Sequence, residues 1–446
     1  MNEHVENIYT FPRMGILLDK INYANNTKMC SRISLWERYK FFLPIAILLN
    51  LIFAFIGRFT SLLTNHLFWR RRKVLKVFPE WRYPNITTGI LLLPLVITTT
   101  EAFCPHGCSC NDISVDCNKA GLETVPILLN PRTVSISLSG NAISSLQQDL
   151  IFYTDLTTLD LSSNRISLLE DKSFEGQKVL KALTLNNNSI TMLLEDNFYG
   201  LGNLEFLSLN DNSISRISDR VFKGLDMLES LSLRNNKIKD IDMLGFEYLR
   251  SIRSINLSQN RLDRLPIASI ANLMSLEEMN FSDNYISRVP ENAFQKLTQL
   301  QHLDLSRNNI SSIRSDSFSG LLKLKSLKLV DNRLASIPLS AFPPLKSLSS
   351  LDLSGNLFTS VPRDFLGGLP SLASLRVERC PRLLLISQDS FVSGWRLQEL
   401  SLRQNPHLTA LPPAALAPLL ALKTLDISSC GLQTLQPTQV SYNGLI

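Results

Sequence analysis

From Thr133 onward, apolar and polar positions follow the pattern L-x-x-L-x-L-x-x-N with a period near 24 residues. The ninth position holds Asn141, Asn164, Asn188, Asn212, Asn236, Asn260, Asn284, Asn308, Asn332, Asn356 and Asn405, with Cys380 and Cys430 taking the place in two units. These thirteen units are separated by one interval of 23 residues, nine of 24 and two of 25, a regularity that chance clustering does not produce. In the unit LQHLDLSRN, Leu303 and Leu305 alternate with polar neighbours. That alternation predicts a short strand with its leucines inward and His302, Asp304 and Ser306 facing solvent. One unit cannot bury its leucines alone. Stacked side by side, the strands form a parallel sheet and the leucines a continuous core. The pattern therefore predicts an α/β repeat, a solenoid curved like a horseshoe with the parallel sheet on its concave face.

The ninth-position asparagine falls where the chain turns away from the strand and leaves backbone groups unpaired inside the solenoid. An amide supplies both donor and acceptor there and can bridge successive loops. Cysteine substitutes as a small, buryable, weak donor. Cys380 and Cys430 are expected to stay unbridged, because two strand spacings of about 4.8 Å separate them. Phe174, Phe198, Phe222, Phe246, Phe294, Phe318 and Phe342 recur ten residues after the asparagine. One aromatic per unit at constant phase predicts a stacked inner spine on the convex side rather than a ligand box. Pro266, Pro290, Pro338, Pro362 and Pro412 fall in the return loop, where no ladder donor is lost.

A chain of 446 residues exceeds what one hydrophobic core normally serves, which agrees with a repeat architecture. Composition, 44% hydrophobic and 19% charged, excludes a fully disordered or collagen-like chain. The net charge of +6 draws much of its excess from Arg70, Arg71, Arg72, Lys73 and Lys76, and so does not argue for nucleic acid as a partner.

Before the repeats lie four cysteines, Cys104, Cys108, Cys110 and Cys117, in the run CPHGCSCNDISVDC. The spacing admits a disulfide knot or a metal site, and spacing alone leaves three disulfide connectivities open. The metal reading is the weaker, since zinc sites use two well-separated cysteine pairs and the nearby histidine, His106, sits inside the run. A disulfide cap implies an oxidising compartment.

Residues 1–102 read as a leader with apolar segments 41–57 and 89–99. The first, interrupted by Pro44 and Asn50, reaches the lower limit for a membrane span. The second has signal-peptide length, and Thr100 and Ala102 predict cleavage after Ala102. Because no methionine lies between Met29 and the second segment, three origins stand for the leader: an anchor, a long signal region or a gene-model extension. The last two are favoured. The domains expected are this leader, a cysteine cap over 103–132 and repeats over 133–446 in about 13 units, the last incomplete, as in a fragment.

The knot and the repeat together resemble extracellular leucine-rich-repeat proteins with an N-terminal cysteine cap, over residues 104 to 446. That resemblance implies pairing of Cys104 with Cys110 and of Cys108 with Cys117. The stretches VPILLNPRTVSISLSGNAISSL and LRVERCPRLLLISQDSF look like the insect tartan and capricious cell-surface adhesion proteins. This closer resemblance implies adhesion or recognition in neural targeting and tissue patterning. Proteins of that kind continue into a C-terminal cysteine cap, a membrane helix and a cytoplasmic tail, so attachment to a membrane would come through the leader or through a segment beyond Ile446. The alternatives are a secreted matrix or carrier protein and an innate-immune receptor ectodomain.

A protein ligand would be read from solvent-facing strand positions. The candidates are Phe206, Arg234, His302, Asp304, Lys328, Arg376, Glu378, Arg379 and Arg403, of which Arg376, Glu378 and Arg379 form the densest charge cluster. Phe206 stands out, because aromatics are over-represented among binding hot spots. The polar mixture suits a protein surface better than a lipid. Homophilic association is one form such binding could take. Glycosylation sequons at Asn187, Asn256, Asn280 and Asn309 bear on the same face, since Asn256 and Asn280 share a strand position in consecutive units. Glycans on both would confine a partner to the stretch around Phe206 and Arg234 or to that from His302 to Arg403. An enzyme is not expected: His302 has no cysteine or serine placed as its nucleophile, and no phosphate loop, metal constellation or cofactor motif occurs.

Overall fold

The computed structural model describes residues 103–147 and 149–433. The leader segments 41–57 and 89–99 and the cleavage position after Ala102 lie outside the described residues. Among the described residues no helix is long and apolar enough to cross a membrane.

The repeats build one 15-stranded sheet in which each strand neighbours those of the units before and after it. Most strands are only three residues long, as in Glu278–Asn280 and His302–Asp304, because the chain must turn away as soon as its leucines are buried. The register is constant. Ile255 pairs with Met279, Met279 with Leu303 and Leu303 with Leu327, so the central residues form one buried row. Each row position repeats at the strand spacing, and a slip of one residue would turn the whole core outward.

At the N-terminal end, Ser109–Cys110 runs antiparallel to Ser114–Asp116, which in turn begins the parallel ladder on Ser135–Ser137. Disulfides join Cys104 to Cys110 and Cys108 to Cys117, the pairing that the resemblance implied. The hairpin covers the first strand of the ladder, whose edge groups would otherwise be open to another chain.

The asparagine ladder closes the turn after each strand. The Asn284 amide nitrogen donates to the carbonyls of Leu257 at 2.9 Å and Phe281 at 3.0 Å, and its oxygen accepts the Leu262 N–H at 3.0 Å. One buried side chain thus satisfies backbone groups in two units. Cys380 keeps only part of this role, its thiol lying 3.5 Å from the Glu378 carbonyl. Cys380 and Cys430 are both free thiols.

The convex returns are mostly turns. Short helices at Ile267–Ile270 and Pro413–Leu416 and a 3-10 turn at Leu339–Ala341 follow Pro266, Pro412 and Pro338, whose fixed φ starts the turn. The phenylalanines form the expected inner spine. Phe198, Phe222 and Phe246 stack with centroids 6.0 and 6.1 Å apart, and Phe294 stacks on Phe318 at 6.5 Å. Ile270 interrupts the spine between Phe246 and Phe294.

Candidate functional site: the concave face

On each strand the residues flanking the buried centre point outward, which produces two parallel rows across the concave face. One row runs Ala182, Phe206, Ser230, Ser254, Glu278, His302 and Ser326; the other runs Thr184, Ser208, Ser232, Asn256, Asn280, Asp304 and Lys328. Phe206 is 39% exposed and stands between two small neighbours, Ala182 and Ser230. His302 is exposed in the same row four strands further on, and Lys328 Nζ lies 3.6 Å from Asp304 Oδ2 on the adjacent strand. Arg234, just past its strand, donates from Nε to Gln259 Oε1 at 3.0 Å.

The cluster expected around Arg376 is divided. Arg376 is exposed on the concave face, in a hollow of about 250 Å³ with Glu378 and Arg403. Arg403 Nε donates to Glu378 Oε2 at 2.7 Å. Burial works to raise the Glu378 pKa, but hydrogen bonds from Arg403 and Ser401 together with the charges of Arg403 and Arg376 outweigh it and hold the carboxyl below its ordinary value. Arg379 is not brought together with them. Its left-handed backbone, φ 53°, sends the side chain along the rim to Asp331 Oδ1 at 3.4 Å.

Asn256 and Asn280 are direct partners across adjacent strands. Each side-chain oxygen accepts the N–H of the serine two residues on, Ser258 at 3.0 Å and Ser282 at 2.8 Å. Asp160, Asp304 and Asp352 make the same closed turn with Ser162, Ser306 and Ser354. Asn187 is exposed with φ 51°, and Asn309 is half-buried; both flank the asparagine ladder rather than the concave rows. The strands around Asn280 enclose a second hollow of about 310 Å³, which includes Glu278, His302 and Asp304.

A chain of polar contacts along the sheet's rim was not anticipated. Arg253 Nη1 meets Glu277 Oε1 at 2.7 Å, Gln301 Nε2 donates to Glu277 Oε2 at 3.1 Å, and Lys325 Nζ donates to Gln301 Oε1 at 2.8 Å. Their 24-residue spacing was the available signal, but which neighbour each side chain would choose was not. Of the 45 basic and 39 acidic residues, 13 and 6 lie in residues 1–102, which leaves 32 against 33 for the rest and a net charge of −1. The positive balance therefore belongs outside the solenoid. Among the described residues no group of three or more His, Cys, Asp or Glu could hold a metal ion.

The leucine-rich-repeat family matches in overlapping segments at 131–188, 154–214, 178–238, 203–262, 250–310, 274–334 and 323–381, together more than half of the chain. Mouse biglycan (Mus musculus) is 40% identical over 65 residues, 15% of this chain and 18% of that protein. Human leucine-rich repeat-containing protein 3B (Homo sapiens) is 29% identical over 104 residues, 22% of this chain and 40% of that protein. The matched stretches thus span less than half the length of these relatives. Among solved structures, a leucine-rich-repeat protein of Leptospira interrogans superposes with a TM-score of 0.63 at 25% identity, over 73% of this chain and 87% of that one. A structure of the Toll–Spatzle complex of Drosophila superposes with a TM-score of 0.56 at 20% identity, over 69% and 46%, a likeness of fold alone. A disulfide-capped solenoid of this kind is an extracellular protein-interaction module. The chain belongs to the leucine-rich-repeat family.

Proposed function

We propose that this solenoid is the ligand-reading part of an adhesion or recognition protein, and that it takes a protein partner on its concave face around Phe206. The observation that carries this reading is the contrast between the rows. The central row is leucine, isoleucine or methionine from Leu159 to Leu400, whereas the outward rows change from unit to unit. A rigid frame holding variable outward residues serves recognition better than it serves stability. Phe206 is an apolar anchor on that frame, and the small residues around it leave a partner's pocket free to close over the ring.

The finer reading, adhesion in neural targeting or tissue patterning, rests on the likeness of VPILLNPRTVSISLSGNAISSL and LRVERCPRLLLISQDSF to tartan and capricious. With it come the domain limits 1–102, 103–132 and 133–446, and membrane attachment through the leader or a C-terminal segment. A second copy of the chain is one partner to test.

The test is binding of the secreted protein, dimerised through a tag, to cells of the source tissue and to beads carrying itself. Phe206→Ala should reduce binding by about 2 kcal/mol, or roughly thirtyfold, if Phe206 is a hot spot. The control, Leu322→Ala, removes an exposed apolar side chain outside the concave rows and should bind as the parent does. Equal binding by both variants would overturn the reading.

A further inference from the structure

We propose that Asn280 carries an N-linked glycan whose first N-acetylglucosamine lies in the hollow formed by Glu278, His302, Asp304, Ser326 and Lys328. The inference deepens the concave-face reading and rests on it only for its consequence.

The turn geometry sets the direction. Asn280 Oδ1 is held by the Ser282 N–H at 2.8 Å, which leaves the amide nitrogen, the atom that would bear the sugar, on the other side. Asp304 is the register partner of Asn280 and makes the same turn with Ser306. Its second oxygen, Oδ2, occupies the place corresponding to the Asn280 nitrogen, and it faces across the concave surface to Lys328 Nζ at 3.6 Å. The Asn280 nitrogen therefore opens onto the same surface, and glycosylation there costs no hydrogen bond of the turn. The ladder asparagines differ: the Asn284 nitrogen is buried against the carbonyls of Leu257 and Phe281.

The hollow has the scale and chemistry for one sugar ring. Its volume of about 310 Å³ lies at the lower end of the roughly 300–1,000 Å³ typical of small-molecule sites. The lining is polar and of both charges, which suits a neutral group with many hydroxyls. Such a shallow polar site would hold a free sugar weakly. A tethered one needs little affinity of its own, because the bond to Asn280 supplies a high effective concentration.

The consequence is that His302, Asp304 and Lys328 face the chain's own sugar and are withdrawn from the partner surface. The centre of the sheet is then closed, and the stretch around Phe206 is left open.

The experiment uses the full chain secreted from animal cells. Peptide mapping gives the occupancy of Asn280, and diethyl pyrocarbonate followed by mass spectrometry gives the modification rate of His302 relative to the exposed His407. Ser282→Ala removes the sequon but keeps the Asn280 side chain and the backbone N–H that holds it. His302 should react several-fold faster in this variant than in the parent. Trimming the parent's glycan to a single N-acetylglucosamine should leave His302 protected, whereas complete enzymatic removal should expose it. The enzymatic arm stands even if the variant is not secreted. A bare Asn280, or equal His302 rates with and without the sugar, would overturn the proposal. Neither result touches the Phe206 binding assay, so the two readings fail separately.

Discussion

The guanidinium of Arg379 lies 3.4 Å from the carboxylate of Asp331, forty-eight residues earlier and two units away along the solenoid. The unit between them offers Gly355 at the corresponding position, and a Cβ there would collide with Asp331 Oδ1. Gly355 has φ 70°, but Gln259, Asp331 and Arg379 hold similar left-handed angles with full side chains. The glycine is therefore explained by the close approach to Asp331 rather than by φ.

Gly355→Ala is expected to cost about 1–3 kcal/mol, through displacement of Asp331 and loss of its contact with Arg379. Gln259→Ala, at the same phase of another unit, should change stability by less than about 0.5 kcal/mol. Denaturant titration of the two variants decides, and equal losses would remove the role given to the gap.

The asparagine ladder makes a second prediction. Asn284→Ala strands the Leu262 N–H in a buried turn and takes one of the two side-chain donors from each of the Leu257 and Phe281 carbonyls, which keep Asn260 and Asn308 respectively. With about 1–3 kcal/mol for the one N–H left unpaired and a smaller loss at carbonyls that keep a donor, a total of roughly 2 kcal/mol is expected. Asn284→Cys, which copies the residue at Cys380, should lose less. Thermal unfolding should rank parent, cysteine and alanine in that order; an alanine variant as stable as the parent would refute the bridging role.

The two free thiols should separate chemically. Burial pushes the Cys380 thiol up to about 11, and burial raises that of half-buried Cys430 as well. At pH 8 a thiol with that value is ionised on the order of one part in a thousand, and the thiolate is the nucleophile. Alkylation of the native protein should therefore label Cys430 before Cys380, with both labelled after denaturation. Rapid labelling of Cys380 in the folded protein would contradict its packing.

The Glu378–Arg403 pair predicts a response to acid. The folded carboxyl is held below its ordinary value of 4.5, so the pair's stabilising contribution is present above that pH and is lost as pH falls through the depressed folded value. Glu378→Gln should lower stability by about 1 kcal/mol near neutrality. The difference from the parent should shrink as the solution is acidified below pH 4.5. A gap that stays constant into acid would mean that the carboxylate charge is not what matters.

The fold was legible because its two strongest requirements act at fixed phase. Leu303 and its counterparts must be buried, and Asn284 and its counterparts must satisfy a buried turn, whatever surrounds them. The outward direction of Phe206, His302 and Asp304 follows from the same alternation. Arg379 turns from Arg376 and Glu378 toward Asp331, a direction that depends on a side chain missing from another unit, at Gly355. The near-burial of Glu378 and the choice of Glu277 by Arg253 likewise depend on rotamers between units. Asn197 went unnoticed for another reason. It is fully buried in a convex return, donating to the Leu169 carbonyl and accepting the Leu194 N–H, and it lies outside the pattern that defines the repeat.

The parallel register has a mechanical consequence. Hydrogen bonds between strands run along the solenoid, so a pull applied to its two ends would load the rungs in series and the weakest would yield first. Each rung that gives way releases one unit of 24 residues, roughly 80 Å of extended chain, while the rest of the stack keeps its shape. At the N-terminal end the cystine pairs bind the hairpin covalently and limit how much can peel from that side. Tension on this module would thus be met by stepwise lengthening rather than by sudden collapse.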